Sequence, residues 1–307
     1  DVCSSDLGAQ IYIGHRAEQV GAAGLVMISS AIPAQNVEVL AARERGIPVL
    51  ERRDFIQALL EGYRTLAVAG THGKTTTAAM IAHVLSGAGL DPSYIVGGVL
   101  ANTGRNAEAG KGDCFVIEAD EYERMFLGLA PWVAVVTNIE MDHPDCFADL
   151  DEMRSAFVQF LAQVRPGGLA VACGDNAQVR LALAAAEAPA LYYGEDEANE
   201  ARVLDIAAQG LAGVQFTLAV GAERVFCALP LSGRHNALNA GAALLATRAV
   251  GVPLERGAAL LAEYRGVQRR AEFKGEAGGV VVVDDYAHHP SQIRATIAAM
   301  RQRYPGR

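Results

Sequence analysis

The chain alternates short apolar runs with segments whose apolar positions recur every three to four residues, the pattern of a sheet covered by helices. Within the first 64 residues, positions 9–13 alternate like a strand, 24–30 and 47–51 read as strands, and 36–45 and 54–63 read as helices. A second series opens with a strand at 65–69 and a helix at 75–85. Residues 114–119 and 132–137 are continuous apolar runs of strand length, as strands buried on both faces require. A helix over 151–164, a strand over 169–173 and a helix over 176–186 come next. From 201 to 230 the pattern changes to alternating segments broken by Gly210, Gly213 and Gly221, which predicts antiparallel strands at a sheet edge. Helices over 236–250 and 254–264, a strand over 280–283 and a helix over 291–303 complete the series. The expected class is α/β: a partial Rossmann-like unit, a central domain with a mostly parallel sheet, and the start of another Rossmann-like domain.

In such sheets the residues just beyond the carboxyl ends of the strands carry the chemistry. The strand at 65–69 runs into Gly70-Thr71-His72-Gly73-Lys74-Thr75-Thr76, which opens a helix. Glycines let backbone amides face a phosphate, and the helix N-terminus adds positive potential. Lys74 suits the terminal phosphates of a nucleotide, and the Thr75 hydroxyl suits Mg2+. Val68 stands where the general phosphate-loop pattern has its first glycine, so this is a shorter variant. Lys74 is one of only three lysines, with Lys111 and Lys274. The run at 114–119 ends in Glu118-Ala119-Asp120-Glu121. Glu118 is placed to hold Mg2+, Asp120 and Glu121 compete for that role, and a simple cap is the bland alternative. His143, beside Asp142 after the next strand, is a second candidate ligand, although a lone histidine is usually structural. Asn236 and Asn239 share one helical face and offer the donor and acceptor that an adenine edge needs; N-capping also explains Asn236. Arg269-Arg270 is able to clamp phosphate. Asp284-Asp285 and His288-His289, closed by Pro290, form another polar group at a strand end.

Composition narrows this picture. With 51% hydrophobic and 20% charged residues, the 307-residue chain is of ordinary globular type. Its net charge of −9 argues against nucleic acid or an anionic membrane as a bulk partner. No apolar run reaches the length of a membrane span. Five scattered cysteines, with no C-x-x-C pair, suggest idle thiols in a reducing compartment. Oligomeric state is not legible. Residues 1–7 are not a secretory signal and fit poorly with the strand expected at 9–13.

Taken in order, Ser29-Ser30-Ala31-Ile32, the loop at 70–77, Glu118-Ala119-Asp120-Glu121, Val136-Thr137-Asn138-Ile139-Glu140 with Asp142-His143, Gly233-Arg234-His235-Asn236-Ala237-Leu238-Asn239, Arg269-Arg270 and the block at 283–290 resemble the Mur ligase family. The resemblance implies three domains: a partial UDP-sugar domain at 1–64, an ATP-binding domain at 65–267, and the beginning of an amino-acid-binding domain at 268–307. The family's opening glycine-rich loop and most of its last domain have no counterpart, so the chain is expected to be cut at both ends. The resemblance further implies an ATP-dependent amide ligase of peptidoglycan precursor synthesis, acting in the cytoplasm. It would join L-alanine to the lactyl carboxylate of UDP-N-acetylmuramate through an acyl phosphate. Gly70, Thr71, His72, Gly73, Lys74, Thr75 and Thr76 would bind ATP, with Asn236 and Asn239 at the adenine. Thr75, Glu118 and His143 would hold Mg2+, and Lys74, Arg270, Asp285 and His288 would complete the catalytic set. Ser29, Ser30 and His289 would face the sugar substrate. Two alternatives stay open: a murein-recycling ligase that attaches a tripeptide to the same sugar, and a catalytically incomplete fragment that binds Mg-ATP.

Overall fold

The computed structural model describes residues 8–29 and 31–307. The chain divides into two compact units, one ending at Glu61 and one covering Gly62–Arg307. The first holds a parallel pair of strands, β1 (Val26–Ile28) and β2 (Val49–Glu51), with helices α1 (Val37–Glu44) and α2 (Arg52–Leu59). The Asn36 side chain accepts from Glu38 N at 2.9 Å and caps α1. Val20, Ala41 and Ala42 form a small buried core. The alternation at 9–13 does not become a strand. Among the described residues β1 and β2 pair only with each other, and Ile11, Tyr12 and Ile13 lie exposed, so the alternating positions bury no apolar face that would hold a strand there.

The second unit is built on a ten-stranded sheet. In spatial order its strands are β12 (Glu223–Leu229), β11 (Val214–Val220), β10 (Ala201–Ala208), β9 (Ala190–Gly194), β8 (Leu169–Cys173), β7 (Val133–Val136), β3 (Arg64–Ala69), β6 (Cys114–Glu118), β4 (Ser93–Leu100) and β5 (Arg105–Glu108). Strands β10 to β4 run parallel; β5 pairs antiparallel with β4 at one edge, and at the other β11 pairs antiparallel with both β10 and β12. The expected edge meander is therefore present. Strands β4, β5 and β9 were not legible: β4 is interrupted by Gly97-Gly98, β5 is wholly exposed, and β9 is short and only partly buried.

Helices α3 (Lys74–Gly87), α6 (Arg234–Arg248) and α7 (Leu254–Leu261) pack on one another and share a core with Leu66, Val68, Val116, Val133, Val135 and Val171. The intervening residues Ala67, Ala69, Ala134, Val136 and Ala170 are equally buried. Because strand side chains alternate, the sheet is covered on both faces. Helices α4 (Leu150–Leu161) and α5 (Ala177–Ala186) pack on each other. The chain continues with an antiparallel hairpin, β13 (Glu272–Ala277) and β14 (Val280–Asp284), and helix α8 (Pro290–Arg303). Register sets the site: Val68 pairs with Glu118 and Ala69 with Val136, so three strands release their loops at one level. Cys114, Cys173 and Cys227 are buried free thiols, and burial pushes Cys227 up to about 12. Among the described residues, no helix is long and apolar enough to cross a membrane.

The turn after β6, residues 122–128, is pinned by Phe126, which is fully buried. Its ring stacks on Phe160 at 5.0 Å and meets the edge of Phe157 at 5.2 Å. Phe126→Ala is expected to cost about 3–4 kcal/mol through the lost contacts and the cavity left behind. Urea unfolding checks this; a loss below about 1 kcal/mol would show that the turn is held by something else.

Candidate active site

The loop between β3 and α3 turns on Gly70 (φ 132°) and Gly73 (φ 84°), both in the left-handed region that favours glycine. A Cβ at Gly73 would stand 2.7 Å from Asn239 Oδ1, and one at Gly70 would overlap the Thr137 hydroxyl. The loop is tied to the segment that follows β7. Thr71 N donates to Asn138 O at 3.0 Å, and His72 N donates to Asn138 Oδ1 at 2.9 Å. The Thr137 hydroxyl donates to His72 O, while the Thr71 hydroxyl accepts from Glu140 N and donates to Glu140 O.

At the start of α3, Lys74 Nζ donates to Gly70 O at 2.6 Å and to both carboxylate oxygens of Glu121 at 2.7 Å. The Glu121 side chain is 0% exposed, and His143 Nε2 lies 3.7 Å from its Oε1. Burial alone would push this carboxyl up, but His143 and Lys74 outweigh it and hold it below the usual glutamate range. His143 is raised in turn, chiefly by Glu121. One residue on, the Thr75 hydroxyl donates to Glu118 Oε2 at 3.2 Å and accepts from Arg270 Nη2 at 3.2 Å. Glu118 Oε1 accepts from Gly97 N at 2.5 Å; burial raises its carboxyl despite that bond. Lys74, Thr75, Glu118, Asp120, His143 and Arg270 line one cavity of about 580 Å³, with His288 at its wall.

Backbone strain gathers here. Of the eight non-glycine residues with positive φ among the described residues, Glu123, Arg124, His143, Arg269 and Ala271 flank or belong to this site. Such conformations persist where surrounding contacts enforce them. Arg270 lies between two of these residues, and its guanidinium faces the Tyr286 ring at 5.2 Å, with Arg269 over the same ring at 4.8 Å.

Beyond Gly73 a second cavity, about 270 Å³, is lined by Thr76, His235, Asn236, Asn239, Arg270 and Asp285, among others. Asn236 Nδ2 donates to Ser232 O at 2.8 Å, and Asn239 Nδ2 to Asn236 Oδ1 at 3.4 Å. Both amides are buried. Asp285 is committed to the chain around it, accepting from Ala271 N, Ala287 N and the Thr296 hydroxyl. His289 caps α8 through its Nδ1, and its ring lies 4.6 Å from that of His72. Gln292 Nε2 donates to His72 Nδ1 at 2.9 Å, which puts the His72 proton on Nε2, facing Glu140 Oε2 at 3.3 Å. Burial holds His72 below the usual histidine range. Ser291 donates to the same Glu140 oxygen at 2.7 Å. Ser29 follows β1 in the first unit and is exposed; Ser30 lies outside the described residues.

The structure thus brings together Lys74, Thr75, Glu118, Arg270 and, through Glu121, His143, and it groups Asn236 and Asn239 across Gly73. Sequence reasoning ranked Glu121 behind Glu118 and gave Glu140 and Gln292 no role. The only signal for Glu121 was its place in the acidic cluster at the end of β6. Glu140 lay unassigned in the polar segment after β7, and Gln292 looked like any polar residue in the first turn of a helix.

Comparison with known proteins agrees across the chain. The Mur ligase middle domain model matches residues 68–247, the Mur ligase family catalytic domain model residues 4–64, and the Mur ligase glutamate ligase domain model residues 269–307. A Streptomyces coelicolor protein named UDP-N-acetylmuramate--L-alanine ligase is 47% identical over 298 residues, 96% of this chain. The chain spans 64% of that relative's length. The crystal structure of UDP-N-acetylmuramate-alanine ligase MurC from Thermotoga maritima aligns with a TM-score of 0.82 and 27% identity, over 98% of this chain and 69% of that one. The UDP-N-acetylmuramate:L-alanyl-gamma-D-glutamyl-meso-diaminopimelate ligase (MPL) from Neisseria meningitides aligns with a TM-score of 0.78 and 30% identity, over 87% of each chain. With the loop, the two cavities and the sheet that places them, these matches establish that the chain belongs to the Mur ligase family.

Proposed function

We propose that the chain is the larger part of a cytoplasmic ATP-dependent ligase that joins L-alanine to the lactyl carboxylate of UDP-N-acetylmuramate, with domains at 1–64, 65–267 and 268–307. The observation that carries this reading is the meeting of Lys74, Thr75, Glu118 and Arg270 in one cavity, with Asn236 and Asn239 across Gly73. The residues fit the groups that the reaction needs. Gly73 leaves a cradle that a Cβ would fill. The Thr75 hydroxyl and Glu118 carboxylate, 3.2 Å apart, are the hard oxygen donors that Mg2+ prefers, and His143 lines the same cavity.

In this reading Asn236 and Asn239 meet the adenine, and Gly70, Thr71, His72, Gly73 and Thr76 shape the nucleotide cradle. Lys74 and Arg270 take phosphate, and Thr75, Glu118 and His143 hold the metal. Bound Mg2+ supplies charge neutralisation to the phosphoryl group. A carboxylate is a poor acyl donor, so the lactyl carboxylate is first converted to an acyl phosphate. The amine of L-alanine attacks its acyl carbon, and phosphate departs. His288 Nδ1 lies 3.0 Å from Tyr286 O and holds its proton there, which leaves Nε2 as the acceptor for the amine proton. Asp285 fixes the segment that brings His288 to the cavity. Ser29, Ser30 and His289 are assigned to the sugar substrate.

The full-length gene product, given ATP, Mg2+, UDP-N-acetylmuramate and single amines, is expected to release phosphate only with both the sugar and L-alanine. Lys74→Ala should lower that rate at least about a hundredfold. Release with a tripeptide instead of L-alanine would move the assignment to the recycling ligase, and sugar-independent hydrolysis would sink the substrate assignment. Asn239→Ala should weaken ATP binding about tenfold in calorimetry through lost hydrogen bonds at the base; unchanged affinity would remove the Asn pair from the base site. Because Glu121 is held below the ordinary glutamate range, the folded chain binds fewer protons there than the unfolded chain. Its stabilisation is present above the unfolded pKa and is lost as pH falls through the lower folded value. Urea midpoints of the wild type should therefore fall more steeply than those of Glu121→Gln on acidification below about pH 4.5; parallel curves would contradict the assignment.

A further inference from the structure

Lys74 is already engaged: its Nζ lies 2.6 Å from Gly70 O, 2.7 Å from both carboxylate oxygens of Glu121 and 3.5 Å from Thr71 O. A phosphate that needs Lys74 must therefore compete with these acceptors, and an ammonium has only three protons to share among them. Gly70 O belongs to the loop itself, whereas Glu121 is a separate anion. Its carboxylate is fully buried and is absent from the lining of the cavity that Lys74 faces. The fold secures it behind the lysine with two consecutive left-handed residues, Glu123 (φ 51°, ψ 22°) and Arg124 (φ 55°, ψ 31°). Arg124 is in turn paired with Glu152 at 2.5 Å. Two strained residues in succession are unfavourable unless the contacts that they create are retained.

We propose that Glu121 is an internal counter-anion for Lys74, occupying the lysine until the terminal phosphate of a bound nucleotide displaces it. This rests on the reading of the loop as a nucleotide phosphate site. The exchange is chemically closed. Lys74 keeps one anionic partner throughout, first carboxylate and then phosphate. The released carboxylate is not abandoned in a buried setting, because His143 Nε2 lies 3.7 Å from it. The binding-competent state is the one in which Lys74 has left Glu121, so the pair lowers apparent nucleotide affinity by the fraction of molecules still paired. A carboxylate at this position also repels the incoming phosphate. A residue that merely braced Lys74 in its working position would act in the opposite direction, and its removal would weaken binding.

Calorimetry with ATP in excess EDTA separates the two, since no turnover occurs without metal. Glu121→Gln, checked for folding by circular dichroism, is expected to bind metal-free ATP about tenfold more tightly than the wild type. The gain should vanish in the Lys74→Ala background, measured as Lys74→Ala against the double variant. Equal or weaker binding by folded Glu121→Gln overturns the proposal, as does a gain that survives Lys74→Ala. Should Glu121→Gln fail to fold, a crystal structure of the wild-type chain with ATP decides the matter. Lys74 Nζ bonded to phosphate with at least one Glu121 contact gone supports the exchange, and both carboxylate contacts retained overturns it. A wild type that binds no ATP removes the nucleotide reading and the exchange with it, a result distinct from a variant that merely fails to gain affinity.

Discussion

The hydrogen bonds between the loop at 70–73 and the segment at 137–140 are the constraint on which the site depends. They bind two stretches of irregular backbone into one rigid edge, and they exist because β3 and β7 are neighbours in register. The loop carbonyl of His72 accepts from both Thr137 and Asn138, so the backbone polar groups there are satisfied without regular structure. With that edge fixed, Lys74 and Thr75 have defined positions, and the acidic residues at the end of β6 meet them from the other side.

From this edge the site divides. Gly73 and Arg270 border both cavities, so one guanidinium is shared between the side of the paired amides and the side of the carboxylates. Arg270 keeps its place through neighbours rather than through rigid secondary structure. It lies between left-handed Arg269 and Ala271, bonds to Thr75, and packs its charge on the Tyr286 ring. The chain from β13 onward is connected to the loop independently, by Ser291 to Glu140 and by Gln292 to His72. A neutral His72 can accept from Gln292 while donating to Glu140, and its desolvated ring favours that state.

Much of this was legible in residue order. The apolar run into Gly70, the helix that follows, and Glu118 at a strand end all obey rules that act over a few residues, and those rules placed β3, α3 and β6 within a residue or two. The Asn236 and Asn239 pair was readable for the same reason, since helical spacing puts both on one face. The attachment of Glu121 to Lys74 was not readable, because it depends on left-handed turns at Glu123 and Arg124 that no local preference announces. Strand β4 was hidden by its two glycines. The alternation at 9–13 misled in the opposite direction: periodicity reports which face a strand would bury, but not whether a core is there to bury it, and Ile11, Tyr12 and Ile13 stay exposed.

The separation in sequence between the partners has a consequence for how the molecule is made. His72 bonds to a residue 66 positions later, Thr75 to one 195 positions later, and again His72 to one 220 positions later. During synthesis the loop therefore emerges long before anything that shapes it, and the order of its contacts is imposed by translation. Parallel strands joined by long crossovers already fold slowly. A chaperone that shields the nascent apolar strands until β7 emerges would thus act on the future edge of the site itself, and a pause in translation after β7 would fall where the loop first has the 137–140 segment to close against.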